Sequence, residues 1–553
     1  MTLADKGGVE IMAQERFVVI GLPDTQKYSE NYPEIFTAQT QWIVDNREAL
    51  NIEFISHYGD VVQHGTGSLA PREYANAKAS MSILERADIP HGVVAGNHDV
   101  LESGGVGQDY DPSNYLQNFG PQWYEDRSWF GGASPSGLST YQRFSGGEQN
   151  FIALHLHLET PHAELAWAQS IINANRDKPV MVTTHRYLQD AEDYTGGVPV
   201  VESGRYPDLW YNFEGQYNPD GIRAEELFNH FIATNRNIFL VNAGHFHEEY
   251  RQTSINNHGL PVHEVLADYQ DDPNGGNGYL RIMEFDTAGD RINVSSYSPT
   301  LNDFYTKDES QFSLNVDFDR YKAPNPTVYF QNGVSGYSYT QDTWINEASK
   351  DTSYDSDATL IIDDDTTNSW LRDRSGQTLL RFDDIIGDGA EGKIPLGATI
   401  TRANLKLTLK EDIDNPLANP DFSIYYVTRA WDESSTWNSL DNGLNNASDY
   451  DELINPFSGD NNPSGYNIRN IDVSEAVQRW ANGEANYGLA IISEKISGND
   501  DGIDLYSSEA EEIMFRPSLE VEYTSNNSSS AIAAALNSST NLLGGLSELP
   551  VST

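Results

Sequence analysis

Short apolar runs alternate with stretches of helical period through the first 300 residues. Residues 17–21 (FVVIG), 52–56 (IEFIS), 92–95 (GVVA), 150–157 (NFIALHLH), 179–183 (PVMVT) and 238–242 (IFLVN) read as strands. Between them, helices are predicted at about 33–50, 71–87, 161–176 and 221–236. Their apolar sides are Ile35, Trp42, Ile43 and Leu50; Tyr74, Ala77, Met81 and Leu84; Leu165, Ala168 and Ile172; and Leu227, Phe228, Phe231 and Ile232. The second of these opens on Pro71, in the first turn, where its missing N–H costs nothing. Residues 101–145, full of Gly, Tyr, Trp and Ser, read as a loop-rich insertion.

From about residue 325 the period changes to two. Ala403, Leu405, Leu407 and Leu409 alternate with Asn404, Lys406, Thr408 and Lys410, as in a strand with one buried face. Similar runs lie at 358–362, 378–382, 422–427, 487–492 and 519–523, punctuated by Asp, Asn, Gly and Pro. An all-β sandwich is expected, with a short helix at 471–482 and a boundary at 320–330, where two prolines interrupt the pattern.

Composition narrows the chemistry. With 553 residues the chain is too long for one ordinary domain, and 30 Tyr, 21 Phe and 10 Trp are ample for folded cores. A formal charge of −49 disfavours a nucleic-acid or anionic-membrane surface. The absence of cysteine leaves only oxygen and nitrogen donors for a metal. No apolar run approaches the roughly 18 residues of a membrane span, and the first 16 residues do not read as a signal peptide.

Five of the apolar runs end on potential metal ligands: Asp24 and Gln26, Asp60, Asn97 with His98, His185, and His245 with His247. Asp24 and Gln26, two apart in extended chain, share a face. In Gly96-Asn97-His98-Asp99 an amide oxygen suits a hard cation, an imidazole can move a proton and a carboxylate can orient it. A single Gly-Asp or His of this kind is ordinary turn chemistry. Five in succession, each closing a strand, predict a metal site at the carboxyl ends of the strands. His64, four residues after Asp60, suits either phosphate or metal-bound water, or the cap of a turn.

The order Asp-x-Gln, Gly-Asp, Gly-Asn-His-Asp, His, Gly-His-x-His resembles the calcineurin-like metallophosphoesterases. "LPDTQ", "FGPQWYEDRSWFGG", "LADYQ", "GGNGYLRIMEF" and "SYSP" resemble one secreted or surface-associated bacterial branch. The resemblance implies a four-layer αββα domain over 17–320 around two divalent ions (Mn, Mg, Fe, Zn or Ca). One ion would be held by Asp24, Gln26, Asp60 and His247, the other by Asp60, Asn97, His185 and His245, with Asp60 bridging. His98 would protonate the leaving group or clamp the phosphate, oriented by Asp99. A hydroxide between the ions would attack a phosphate mono- or diester in line. Gln26 stands where most members carry His, so the first ion should be held more loosely.

In the second domain, 328–524, the segments "DTWI", "TLLRFD", "GATITRANLKLTL", "TRAWDESSTWN", "IDVSEAVQRWANG", "GIDLYSSE" and "RPSLEVEY" resemble the DNRLRE type of β-sandwich. Some members are classed as carbohydrate-binding modules, so a polysaccharide or extracellular matrix is an expected partner. Trp431, Trp437 and Trp480 read as buried core or as sugar-stacking platforms, and the runs Asp363–Asp365 and Asn499–Asp501 as solvated turns or Ca²⁺ loops. Residues 1–16 are an N-terminal extension. Residues 525–553 form a low-complexity tail, read as disordered or as a signal for export. The expectation is an extracellular or cell-surface phosphoesterase tethered by its sandwich. The rival is a catalytically weak binding or adhesion protein. A glycosidase is disfavoured, since no carboxylate pair of that logic stands out.

Overall fold

Strands that begin as parallel neighbours carry their last residues to one rim, and this arranges the first domain. The computed structural model describes residues 16–190, 203–205, 217–218, 220–321, 325–362, 376–387, 392–410, 421–444, 449–458, 467–493 and 502–524. The extension before residue 16, both Asp-rich loops (363–365 and 499–501), the tail from 525 and most of the 191–216 loop lie outside these residues. The described residues fall into two compact units that divide between Tyr321 and Asn325.

In the first unit, Arg16–Leu22, Ile52–His57 and His91–Val93 pair in parallel, within a seven-stranded sheet completed by antiparallel Leu280–Asp286, Arg291–Ser298, Asp303–Phe304 and Gln311–Asn315. A second seven-stranded sheet runs Glu248–Ile255, Pro261–Asp268, Ile238–Gly244, Val180–Arg186, Gln149–His155, Thr140–Gly146, Phe130–Ala133. Its four middle strands from Pro261–Asp268 to Gln149–His155 are parallel. Phe17, Val19, Phe54, Phe285 and Met283 of one sheet interdigitate with Phe144, Phe151, Met181, Phe239 and Val265 of the other. The alternate residues Val18, Ile20 and Leu22 face outward, onto Phe36 and Ile43 of helix Pro33–Leu50 and Tyr74, Ala77 and Met81 of helix Ala70–Arg86. A strand apolar on both faces reads as a continuous run, which is why these strands lacked alternation. With helix His162–Ala174 and the 224–232 turns, the layers are helix, sheet, sheet, helix.

The 101–145 insertion is loop-rich as expected, and it also contains helix Ser113–Phe119 and two strands that extend the second sheet, because Thr140–Gly146 pairs antiparallel with Gln149–His155. One expectation needs correction. The single helix expected at 221–236 is instead a turn of α-helix, Ala224–Leu227, that widens into a π-helical turn, Phe228–Ile232.

The second unit is a β-sandwich. A six-stranded sheet (Thr327–Gln331, Ser518–Thr524, Thr399–Leu409, Ile503–Tyr506, Thr359–Ile362, with Asn467–Asp472 on Thr399–Leu409) faces a five-stranded one (Thr340–Asn346, Gly376–Phe382, Leu489–Ser493, Asp421–Val427, Tyr450–Ser458). Leu405, Leu407 and Val521 meet Trp344, Leu380, Phe422 and Ile491 in the core. Helix Ser474–Ala481 seats Val477 and Trp480 in the same core. Trp431, Trp437 and Trp480 are 7, 5 and 2% exposed, so none is an open sugar platform.

Candidate metal centre

The carboxyl rims of both sheets open on the same place. Asp60 follows Ile52–His57 and Asn97 follows His91–Val93, while His185 and His245 close Val180–Arg186 and Ile238–Gly244. His185 Nε2 lies 3.2 Å from Asp60 Oδ2 and 3.1 Å from Asn97 Oδ1, and His245 Nδ1 lies 2.9 Å from the same amide oxygen. The two imidazole nitrogens are 3.3 Å apart. Four donors from four strand ends therefore face one point, and all four residues are buried.

Their outer contacts aim them. The Tyr58 carbonyl, 2.9 Å from His185 Nδ1, can only accept, so the proton sits on Nδ1 and the Nε2 lone pair faces inward. Asn97 Nδ2 donates to the Gly104 carbonyl at 2.9 Å, which turns its Oδ1 to the centre. Asp60 Oδ1 accepts the His98 N–H at 2.9 Å. Asp60 and His245 both have left-handed backbone, φ 46° and 73°, a sparsely populated state for such residues and one found at functional sites.

The other half of the predicted ligand set is looser. Asp24 Oδ2 accepts the His245 N–H at 2.9 Å, while its buried Oδ1 has no hydrogen-bond partner. Gln26 is buried, its Nε2 donating to Gln270 Oε1 and its own Oε1 unpartnered. His247 departs from expectation. Its Nδ1 is 2.7 Å from Asp271 Oδ2, so the ring expected beside Asp24, Gln26 and Asp60 is engaged by an acid of the 268–272 loop.

One expected role is corrected and one open alternative is decided. Asp99 does not orient His98. Its Oδ1 accepts from the backbone of Val61 (2.9 Å) and Val62 (3.1 Å), and its Oδ2 from Gly96 (2.9 Å). Consecutive residues on a helical turn point about 100° apart, so Asp99 faces the loop beneath while His98 faces out. The His98 ring is instead held by the Gln63 carbonyl, 2.8 Å from Nδ1. Of the readings open to His64, the structure shows the turn cap. Its Nδ1 and N–H both bind the buried Glu73 carboxylate, at 3.0 and 2.9 Å, capping the 63–64 turn.

The residue that sequence reasoning missed is Asp268. It is 1% exposed, and its two carboxylate oxygens accept from the backbone and side-chain N–H groups of Gln270 at 2.8 and 2.9 Å. It ends the apolar run Val265-Leu266-Ala267, the same sign that marked the other candidate residues. Burial, then Asp268 and Asp60, push the Asp24 carboxyl well above the usual range. Burial chiefly raises Asp268 to about 6. Burial also works against ionised Asp60, but His185 and His98 outweigh it and hold that carboxyl low. Crowded carboxylates facing imidazoles, with unpartnered oxygens on Asp24 and Gln26, are a donor set that fits hard divalent cations.

Glycine makes the room. A Cβ at Gly96 would lie 2.1 Å from Asp60 Oδ1 and 2.8 Å from His185 Nε2, and one at Gly244 would lie 2.4 Å from Asp24 Oδ1. Gly96→Ala should therefore displace Asp60 and lower both bound metal and turnover by at least about tenfold. Metal analysis beside far-UV circular dichroism would check this, with the dichroism expected to be unchanged.

Residues 17–249 match the calcineurin-like phosphoesterase family and residues 334–523 match carbohydrate-binding module family 96. An uncharacterized Bacillus subtilis protein, YvnB, is 31% identical over 334 residues, which are 58% of this chain and 23% of that protein's length. A dimetal phosphatase from Danio rerio is 11% identical, covering 54% of this chain and 98% of that one, with a TM-score of 0.32. Plasmodium GAP50, an anchor in the inner membrane complex, is 10% identical over 54% and 89% of the two chains, also at 0.32. The first unit thus carries a calcineurin-like phosphoesterase domain and the second is a carbohydrate-binding module of family 96.

Proposed function

We propose that this chain hydrolyses phosphate mono- or diesters with two divalent ions and is held on a polysaccharide by its carbohydrate-binding module, outside the cell or on its surface. The observation that carries the hydrolase reading is the convergence of Asp60, Asn97, His185 and His245 from four strand ends, beside unpartnered Asp24 Oδ1 and Gln26 Oε1. One ion would be held by Asp60, Asn97, His185 and His245. The other would be held by Asp24, Gln26 and Asp60, with His247 released from Asp271 to join them. When bound, such a pair lowers the pKa of a shared water and neutralises phosphoryl oxygens.

The chain's own groups do the rest. The proton that Gln63 holds on His98 Nδ1 leaves Nε2 as the nitrogen to carry a proton to the leaving oxygen. Tyr58 and Gly104, through their carbonyls, keep His185 and Asn97 aimed. Polysaccharide binding is supported by the family of the second unit.

The purified chain, stripped and reloaded with Mn²⁺, Mg²⁺, Zn²⁺ or Ca²⁺, should turn over chromogenic mono- or diesters only when loaded. No turnover with any metal would leave a binding or adhesion protein. Gln26→His should slow metal loss in chelator by roughly tenfold, since imidazole is the stronger donor to most transition metals. Unchanged loss, followed by a metal-sensitive dye, would show that Gln26 does not set retention.

A further inference from the structure

Of the side chains offered to the first ion, Gln26 alone can face it the wrong way round. A carboxylate presents oxygen at both ends, and an imidazole can carry its lone pair on either nitrogen. An amide has lone pairs on its oxygen only, while its nitrogen presents two N–H groups that repel a cation. A half-turn about the last side-chain bond would therefore exchange a ligand for a repulsive dipole without changing the shape of the residue.

The direction of that half-turn is set from Asp268. Gln26 and Asp268 are 2 and 1% exposed, so water does not supply the missing partners. Asp268 Oδ1 accepts the Gln270 backbone N–H at 2.8 Å, a donor that cannot be reversed. Asp268 Oδ2, 2.9 Å from the Gln270 side chain, takes the Nε2 side of that amide, because a carboxylate oxygen accepts. Gln270 Oε1 is thereby turned to Gln26 and accepts from Gln26 Nε2. What Gln26 has left is Oε1, buried and without a hydrogen-bond partner among the described residues. From carboxylate to amide to amide, each contact permits one orientation of the next.

The second ion does not depend on this chain of contacts. Its ligands His185 and Asn97 are aimed by the carbonyls of Tyr58 and Gly104. The 268–272 loop instead touches Gln26 through Gln270 and His247 through Asp271, two residues offered to the first ion alone. We infer, on the dinuclear reading proposed above, that Gln270 is a positioning residue for the first ion. Anchored on Asp268, it holds Gln26 with the amide oxygen toward the metal.

The test uses the full chain, stripped with chelator and titrated with Mn²⁺ alone by calorimetry, with far-UV circular dichroism as the control for fold. The wild type should take up two ions, the first more loosely than the second. Gln270→Leu, at a half-buried position, should weaken the looser ion by about tenfold and leave the tighter one unchanged. In a Gln26→Ala background the same substitution should change neither ion, since no amide remains to be oriented. Should Gln270→Leu disturb the fold, Gln270→Ala, which only shortens the side chain, should give the same pattern. Two ions in the wild type, with Gln270→Leu within about twofold of it on both, would overturn the positioning role and leave the dinuclear centre standing. So would a loss of equal size in the Gln26→Ala background, the mark of a residue that only supports the fold. A wild type that bound a single ion would remove the dinuclear reading and this role together.

Discussion

Asp60→Asn is expected to lose both metal ions and to lower turnover on a chromogenic phosphate ester by on the order of 10³-fold or more, about 4 kcal/mol of barrier. The substitution is a sharp one because so little else changes. Asparagine tolerates the left-handed φ of 46° that Asp60 adopts, and its oxygen can still accept the His98 N–H. What disappears is the charge lying 3.2 Å from His185 Nε2 and shared by both proposed ion positions. Elemental analysis of the purified variant, beside its circular dichroism and its rate, separates loss of metal from loss of fold. A variant that kept both ions and a rate within threefold would remove Asp60 from the bridging position and the dinuclear reading with it.

His98→Ala is expected to behave in the opposite way toward metal. His98 lends the centre its backbone N–H, which alanine retains, while its ring points to Gln63 and packs beside Gly104. Metal content should therefore stay near the wild-type value. The rate constant should fall by on the order of 10²–10⁴, the range for a lost general acid. The fall should be smallest for esters with good leaving groups, which need no proton. A uniform loss across leaving groups would make His98 a clamp on the phosphate instead. Asp99→Asn, by contrast, should act through stability, since Asp99 serves the backbone of residues 61, 62 and 96 and touches no part of the His98 ring.

Much of this centre was legible before any coordinates. Asp24, Asp60, Asn97, His185 and His245 each close an apolar run, and parallel strands deliver their last residues to a common edge. The same rule applied to Val265-Leu266-Ala267 would have found Asp268, which is otherwise hidden among 83 acidic residues. The role that went astray rested on nearness in sequence: Asp99 is next to His98, yet its carboxylate faces a loop backbone. Of the two readings of His64, the structure shows the turn cap, on Glu73.

The chain alone decided the two architectures and which side chains close the strands, because periodicity of burial and the residue closing each strand are local properties. Tertiary packing decided which side chains meet. Direction on a turn and the competing hydrogen bonds of Gln63, Glu73 and Asp271 both depend on contacts that no local pattern encodes.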